Sequence, residues 1–373
     1  MHLRRRPQVL TVGGALVAMA LSLAACSSSS SSSPPSGSSS SGSGSASAGG
    51  SSSSAAAASG TLNGSGSTFQ LTFQQAAGSA FKQSDSSATV NYQGSGSGAG
   101  RNALAAGTVN FAGSDSPIPA TEQGNFKGKT VLYFPVVVGP ITMAYNLPGV
   151  SGLKLDPTTI AKIFQGQITS WNDPAIKALN SGMSLPSTPI SIAVRSDSSG
   201  TTQNFSLFLE DAVPSVWKLG SSSTIKWPSS AHAASGNGGV ATAIKGTAGA
   251  IGYVDYSTAK ASNLSFASVK NKDGNFVAPS ADSASAAAAG ITPKADLTFH
   301  AVWAPGANAY PITYQSWDLV YAKQPDANTA NLVKAYLSYL LGDGQQLLSG
   351  LNYAPLPSNI DTMAKAQLSQ ISS

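Results

Sequence analysis

Residues 195–201 read RSDSSGT, set between the alternating apolar run PISIAV and the helix-like TQNFSLFLE. A guanidinium offers a rigid fork of N–H donors, and serine or threonine hydroxyls with the free backbone N–H groups of a helix start add more. Such a loop has the chemistry of half an anion cradle. Three other stretches share its character: NGSGSTFQ (63–70), QGSGSGAG (93–100) and GSDSPI (113–118). Their small residues let several N–H groups crowd one ligand, and three of the four loops would present a helix N-terminus, where the helix dipole favours negative charge. Each loop also fits a simpler role. Ser, Thr, Asp and Gly are what any helix start prefers, Asp115 could cap a turn, and Arg195 could be a solvated surface arginine. No Gly-Lys-Ser/Thr follows Gly96, so the second loop is not a complete phosphate-loop motif. It is the joint occurrence of the four that points to one composite site.

Positioning four loops together requires a framework. ATVNY (88–92), TVNFAG (108–113), TVLYFPVVVGPITMAYN (130–146), PISIAVR (189–195) and GAIGYVDY (249–256) read as strands by β-branched and aromatic content. Helical segments fall between them. LTFQQAAGSAFKQ follows the first loop, and DPTTIAKIF places Asp156 as an N-cap with Pro157 at the first helical position. NTANLVKAYLSYLL puts Leu332, Val333, Tyr336, Leu337, Leu340 and Leu341 on one face. This alternation predicts an α/β architecture, in which ligands sit at the carboxyl ends of strands.

Composition removes several alternatives. The 373 residues carry a formal charge of +5 with only 10% charged residues, and the excess includes Arg4, Arg5 and Arg6 at the extreme N-terminus, so no nucleic-acid polycation is present. His2, His232 and His300 are scattered, and no CxxC or HExxH pattern holds a metal; neither a metal nor a cofactor is expected.

The N-terminus carries its own signal. MHLRRR is a positive region, VLTVGGALVAMALSLAA an apolar one, and LAAC (23–26) ends on Cys26, the single cysteine of the chain. LAAC resembles a bacterial lipobox, which makes residues 1–25 a lipoprotein signal peptide and Cys26 the acylated first residue of the mature protein. An ordinary signal peptide with an incidental cysteine, or an uncleaved anchor helix, is the alternative. Residues 26–59 are the lipidated cysteine and a Ser/Gly/Ala tether without a charge or an aromatic, which cannot offset chain entropy by burial. A flexible tether of this length reaches about 30 Å. Acyl chains would hold the protein at the extracytoplasmic face of the cell membrane.

In order along the chain stand GSGSTF, VNYQGSGSGAG, VNFAGSDSPI, AYNLPG, IFQGQITSWNDPAI, VRSDSSGTTQNF, GAIGYV, YPIT and YAPLP. Through them, from about residue 60 to 360, the sequence resembles the phosphate-binding proteins of bacterial high-affinity phosphate ABC importers, the Pst system, in the periplasmic-binding-protein superfamily. The resemblance implies a two-lobed α/β fold of type II, with the ligand cleft between lobes joined by two β-like crossovers near FPVVVGP and YPITYQ. Lobe I is then 60–137 plus 311–373 and lobe II 138–310. It further implies phosphate contacts from Thr68, Phe69 (through its backbone N–H), Ser97, Asp115, Arg195, Ser199, Gly200 and Thr201, with Asp197 beside the arginine. The implied partners are inorganic phosphate, the permease subunits with their ATPase, and the membrane through the lipid anchor; the protein is expected to be a monomer. Two residues depart from the family pattern: Gln70 stands where a proline is frequent, and Ser198 where many members carry glycine.

The residues make chemical sense of such a site. A dehydrated anion needs many donors. Asp115 looks out of place among them, but phosphate at neutral pH retains a proton and an ionised carboxylate accepts it, whereas sulfate has none to offer. Asp197 would orient Arg195, or be a plain loop acid. Two other functional classes remain: a secreted phosphatase or hydrolase, and a surface interaction protein that has kept the fold. Against the first, no GxSxG elbow exists, and the SxxK matches at Ser79, Ser215 and Ser223 lack companion motifs. Against the second, a degenerate site has no use for both Asp115 and Arg195.

Overall fold

A computed structural model of the chain describes residues 59–373; the signal region, Cys26 and the tether to residue 58 lie outside the described residues. The chain runs β1 (Gly60–Gly66), α1 (Leu71–Ser84), β2 (Ala88–Gly94), α2 (Ser97–Ala106), β3 (Phe111–Ser114), β4 (Val131–Asn146), β5 (Lys154–Leu155), α3 (Pro157–Phe164) and α4 (Pro174–Leu179). It continues through β6 (Ser191–Arg195), α5 (Gly200–Ala212), β7 (His232–Ala234), α6 (Gly236–Gly246), β8 (Ala250–Asp255), α7 (Tyr256–Ala261), β9 (Ser265–Phe266), β10 (Ser268–Lys270) and β11 (Phe276–Val277). Last come α8 (Ala281–Ala288), β12 (Thr313–Tyr321), α9 (Ala327–Leu341) and α10 (Ser358–Gln367).

Local chemistry accounts for the helices the sequence predicts. Asp156 caps α3 by accepting the Thr159 N–H at 2.7 Å, with Pro157 at the first turn, where no N–H is missed. In α9 the six residues expected on one face are all buried. The strand expected at 108–113 starts only at Phe111, because 108–110 form a bend after the left-handed Gly107. β1, GTLNGSG, was not expected as a strand at all. It lacks β-branched density, yet it pairs in parallel with both β2 and β3, and Gly64 leaves room for the Phe111 ring, which a Cβ at that position would strike.

Two long strands tie the molecule together. The main sheet has the order β2-β1-β3-β12-β4-β8-β6-β7, with β9 also paired to β4. β1, β2 and β3 are mutually parallel, as are β6, β7 and β8, whereas β12 and β4 are antiparallel to their neighbours. β4 is buried over almost its whole length of 16 residues. It pairs with β12 as far as Pro140 and with β8 from Ile141, so one strand serves both parallel triplets. Prolines cannot donate to a ladder, and here they sit where pairing changes: Pro140 at the handover, Pro135 beside an irregularity at Ser316/Trp317, where Val136 has no partner on β12.

Candidate anion-binding site

Four helix starts meet where the two parallel triplets face each other. From the β2-β1-β3 side come the β1–α1 loop with Thr68, the β2–α2 loop with Ser97, and Asp115 just past β3; from the β7-β6-β8 side come the β6–α5 loop and the β7–α6 loop. These loops are in direct contact. The Gly98 N–H donates to the Ser198 carbonyl at 3.0 Å and the Gly200 N–H to Ser97 Oγ at 3.2 Å. The Asn237 N–H and side-chain amide both reach Thr68 Oγ1, at 3.2 and 3.1 Å. Gly200 must be glycine, since a Cβ there would lie 2.5 Å from the Asp115 Cβ and 2.7 Å from Ser97 Oγ.

All of the sequence-predicted contacts lie at this junction, and most are buried. Ser97, Asp115, Arg195, Ser199 and Thr201 are each no more than 5% exposed, while Thr68 and Asp197 are half-buried. Phe69 packs its ring against Tyr314 and Tyr353, and its N–H donates to Ser67 Oγ at 3.0 Å. Ser199 caps α5 by accepting the Thr202 N–H at 3.2 Å.

The two charged groups are held differently. Arg195 donates from Nε to Asp197 Oδ1 at 2.8 Å and from Nη2 to Oδ2 at 2.5 Å, while Nη1 makes only a long 3.4 Å contact with Thr201 Oγ1. One edge of the fork is therefore bound and the other left for a ligand. Burial by itself would raise the Asp197 carboxyl, but the arginine's hydrogen bonds and charge hold it below the ordinary aspartate range. At Asp115 burial dominates and pushes the carboxyl up to about 6, against the hydroxyls of Ser316 and Ser67 and the charge of Arg195. Its backbone N–H donates to Ser97 Oγ at 3.2 Å, and its carbonyl accepts the Asn204 amide at 2.6 Å. Asn237 Oδ1 is buried at the same place and, among the described residues, has no hydrogen-bond partner.

The profile of the PBP superfamily domain matches residues 51–344. Over 322 residues the chain is 36% identical to the phosphate-binding protein PstS 3 of Mycobacterium leprae, covering 82% of this chain and 86% of that one. The chain belongs to the PBP superfamily, among the PstS phosphate-binding proteins. It is also 39% identical over 247 residues to PstS 2 of Mycobacterium tuberculosis, covering 64% of this chain and 66% of that one. A solved high affinity periplasmic phosphate-binding protein (PfluDING) bound with phosphate shares the fold, with a TM-score of 0.70 at 23% identity over 83% of this chain and 94% of that one. The two-lobed α/β fold expected from sequence is thus the fold of this chain, and membership of a binding-protein family makes it a binding protein, not an enzyme.

Several residues at the site escaped the sequence reading. Ser235, Gly236 and Asn237 open α6; the Gly236 N–H donates to Asp197 at 3.0 Å, and Asn237 bonds Thr68 and Thr201. SGNGG ahead of VATAIKG has the same small, polar character as the other loops, so a signal was there. Ser316, Gln315 and Asn204, which touch Asp115, had none: they lie within a strand and a helix. Among the described residues no cluster of acidic, histidine or cysteine side chains could hold a metal, and no helix is long and apolar enough to cross a membrane.

Proposed function

We propose that this chain is the extracytoplasmic phosphate receptor of an ABC importer: it takes inorganic phosphate between its two lobes, rejects sulfate, and delivers its cargo to membrane permease subunits driven by their ATPase. The observation that carries this reading is the pairing of a half-free guanidinium, Arg195, with a buried carboxylate, Asp115, at the meeting point of four helix starts. The arginine and the helix N-termini supply positive potential and donors. Phosphate oxygens are taken by Arg195, by the hydroxyls of Thr68, Ser97, Ser199 and Thr201, and by the N–H groups of Phe69 and Gly200. Asp115 accepts the proton of the bound phosphate. Sulfate would set an oxygen lone pair against the carboxylate, an unpaired contact of the kind that discriminates by about 10⁴-fold. Asp197 braces Arg195.

The lobes are 60–137 with 311–373, and 138–310, and they close by bending at β4 and β12; the change of β4 from β12 to β8 at Pro140 and Ile141 supports a pivot there. Acylated Cys26 and the tether hold this monomeric receptor at the outer face of the cell membrane, a reading supported by the LAAC motif and the composition of residues 27–59. Calorimetric titration of ligand-stripped protein tests the site. At pH 8 Asp115 is ionised, and phosphate binds while sulfate gives no heat. As pH falls through about 6 the carboxyl takes up its proton, becomes a donor, and selectivity over sulfate declines. Asp115→Ala loses phosphate affinity about 100-fold. Equal binding of both anions at pH 8 would refute the reading.

A further inference from the structure

Between α1 and Asp115 runs a buried file of polar side chains with no part in the anion contacts assigned above. Gln70, Gln74, Ser316 and Asp318 are all at most 1% exposed. Tyr336 Oη donates to Gln74 Oε1 at 2.7 Å. Gln74 Nε2 then faces only acceptors: both oxygens of Asp318, at 3.0 and 2.9 Å, and Gln70 Oε1 at 2.9 Å. With Asp318 ionised, turning the Gln74 amide over would set its carbonyl against a carboxylate, so above about pH 7 its orientation is determined. Gln70 Oε1 is thereby engaged as an acceptor, and its Nε2 donates to Ser316 Oγ at 2.7 Å and to the Trp317 carbonyl at 2.9 Å.

Ser316 has one proton. With its oxygen already accepting from Gln70, the hydroxyl donates onward, and its shorter contact is Asp115 Oδ1 at 2.5 Å, against 3.3 Å to the Ser114 carbonyl. The irregularity in β4–β12 pairing falls at Ser316/Trp317, and such irregularities re-aim side chains. The bonds from Gln74 through Gln70 and Ser316 therefore run one way, toward the Asp115 carboxylate, with side branches to Asp318 and to the Trp317 carbonyl.

We propose that Gln70, held by Gln74 and Asp318, is a positioning residue for anion selectivity: it commits the Ser316 hydroxyl to donate to Asp115 Oδ1, keeping that carboxylate an acceptor and leaving Oδ2 for the protonated oxygen of the ligand. This rests on the proposed role of Asp115. Oδ2 faces residues assigned above to the ligand: the Ser97 hydroxyl makes a long 3.4 Å bond to it and Gly200 lies beside it, while the Ser67 hydroxyl also bonds the carboxylate. Hydroxyl donation from Ser316 also opposes the rise that burial imposes on Asp115. Without Gln70, Ser316 is free to turn to the Ser114 carbonyl. Asp115 then holds a proton more readily and can donate to a fully ionised oxyanion.

The test compares full-chain wild type, Gln70→Met, Ser316→Ala and the double variant, each shown folded by thermal melting and titrated at pH 7.5 with phosphate, then with phosphate in competing sulfate. In the wild type sulfate does not compete. Gln70→Met is expected to lower the phosphate-to-sulfate ratio about 10-fold and Ser316→Ala by at least as much. The double variant should match Ser316→Ala, because both changes remove one donor; a role for Gln70 in packing would instead multiply the two effects. Wild-type selectivity in folded Gln70→Met, or multiplied effects in the double variant, would overturn the proposal. Should the Gln70→Met variant fail to fold, Ser316→Ala decides: unchanged selectivity there also overturns it. If wild type binds phosphate and sulfate alike, the reading of Asp115 itself has failed. If wild type discriminates and only these variants fail to respond, the role of Asp115 stands without the relay.

Discussion

Arg101 and Arg195 are both buried and both paired with an acid, yet their forks are used in opposite ways. Arg101, fully buried, spends Nε and Nη2 on Glu122, at 2.6 and 2.9 Å, and both hydrogens of Nη1 on the hydroxyls of Ser114 and Ser116, at 3.1 and 3.2 Å. Those two serines flank Asp115, so Arg101 shapes the loop from behind. Arg195 commits one edge to Asp197 and keeps only a long contact on Nη1. A guanidinium with four of its five N–H groups taken by protein is part of the scaffold; one fixed along a single edge is preorganised to bind something else.

The largest effects should separate these two arginines. Arg195→Ala is expected to weaken phosphate binding about 10³-fold, the scale of losing a bidentate charge-assisted contact, with a smaller loss of stability than Arg101→Ala because Asp197 keeps the Gly236 N–H as a partner. Arg101→Ala is expected to do the reverse, costing about 3 kcal/mol of stability by stranding Glu122 and the two serines, with phosphate affinity changed by about 10-fold or less in the folded protein. Paired calorimetry and denaturation would break the comparison if both variants lost binding equally.

A second test uses a buried acid that has no arginine. Burial lifts Asp318 to about 7, only partly opposed by Gln74 and Gln70. Because this folded-state value lies above that of the unfolded chain, the native protein binds the extra proton between about pH 4 and 7, and stability falls as pH rises through that window. Asp318→Asn should flatten the fall by about 4 kcal/mol, read as urea midpoints at pH 4 and pH 8. An unchanged slope would mean that Asp318 is solvated in solution. The smallest effect concerns the brace: Asp197→Asn keeps the shape but removes the charge, and should weaken phosphate about 10-fold without altering discrimination against sulfate, since Asp115 is untouched. A change in selectivity would tie the two carboxylates together.

Legibility differed between the helix-start loops and the rest of the site. The loops that hold Thr68, Ser97, Asp115, Arg195 and Thr201 stood out because small, hydroxyl-bearing residues at helix starts have a local pattern, and the structure brings those loops together. The α6 start carried the same pattern in SGNGG. Ser316, Gln74 and Asp318 carried none, being single polar residues within regular elements whose meaning depends on a partner elsewhere; Gln74 and Asp318 are 244 positions apart. β1 was missed for a related reason: a strand of glycines, serine and asparagine has no periodicity of its own and is held by the parallel neighbours on either side.

By itself the sequence determined the α/β alternation, the helix caps, the buried face of α9 and the small, hydroxyl-rich character of four loops suited to an anion, all of which follow from interactions within a turn or two of chain; the individual contacts proposed within those loops came from the family resemblance. Tertiary structure alone decided which donors stay unspent. The free edge of Arg195, the direction of the Ser316 hydroxyl and the elevated affinity of Asp115 for a proton arise from burial and from hydrogen-bond partners that only the assembled sheet brings within reach.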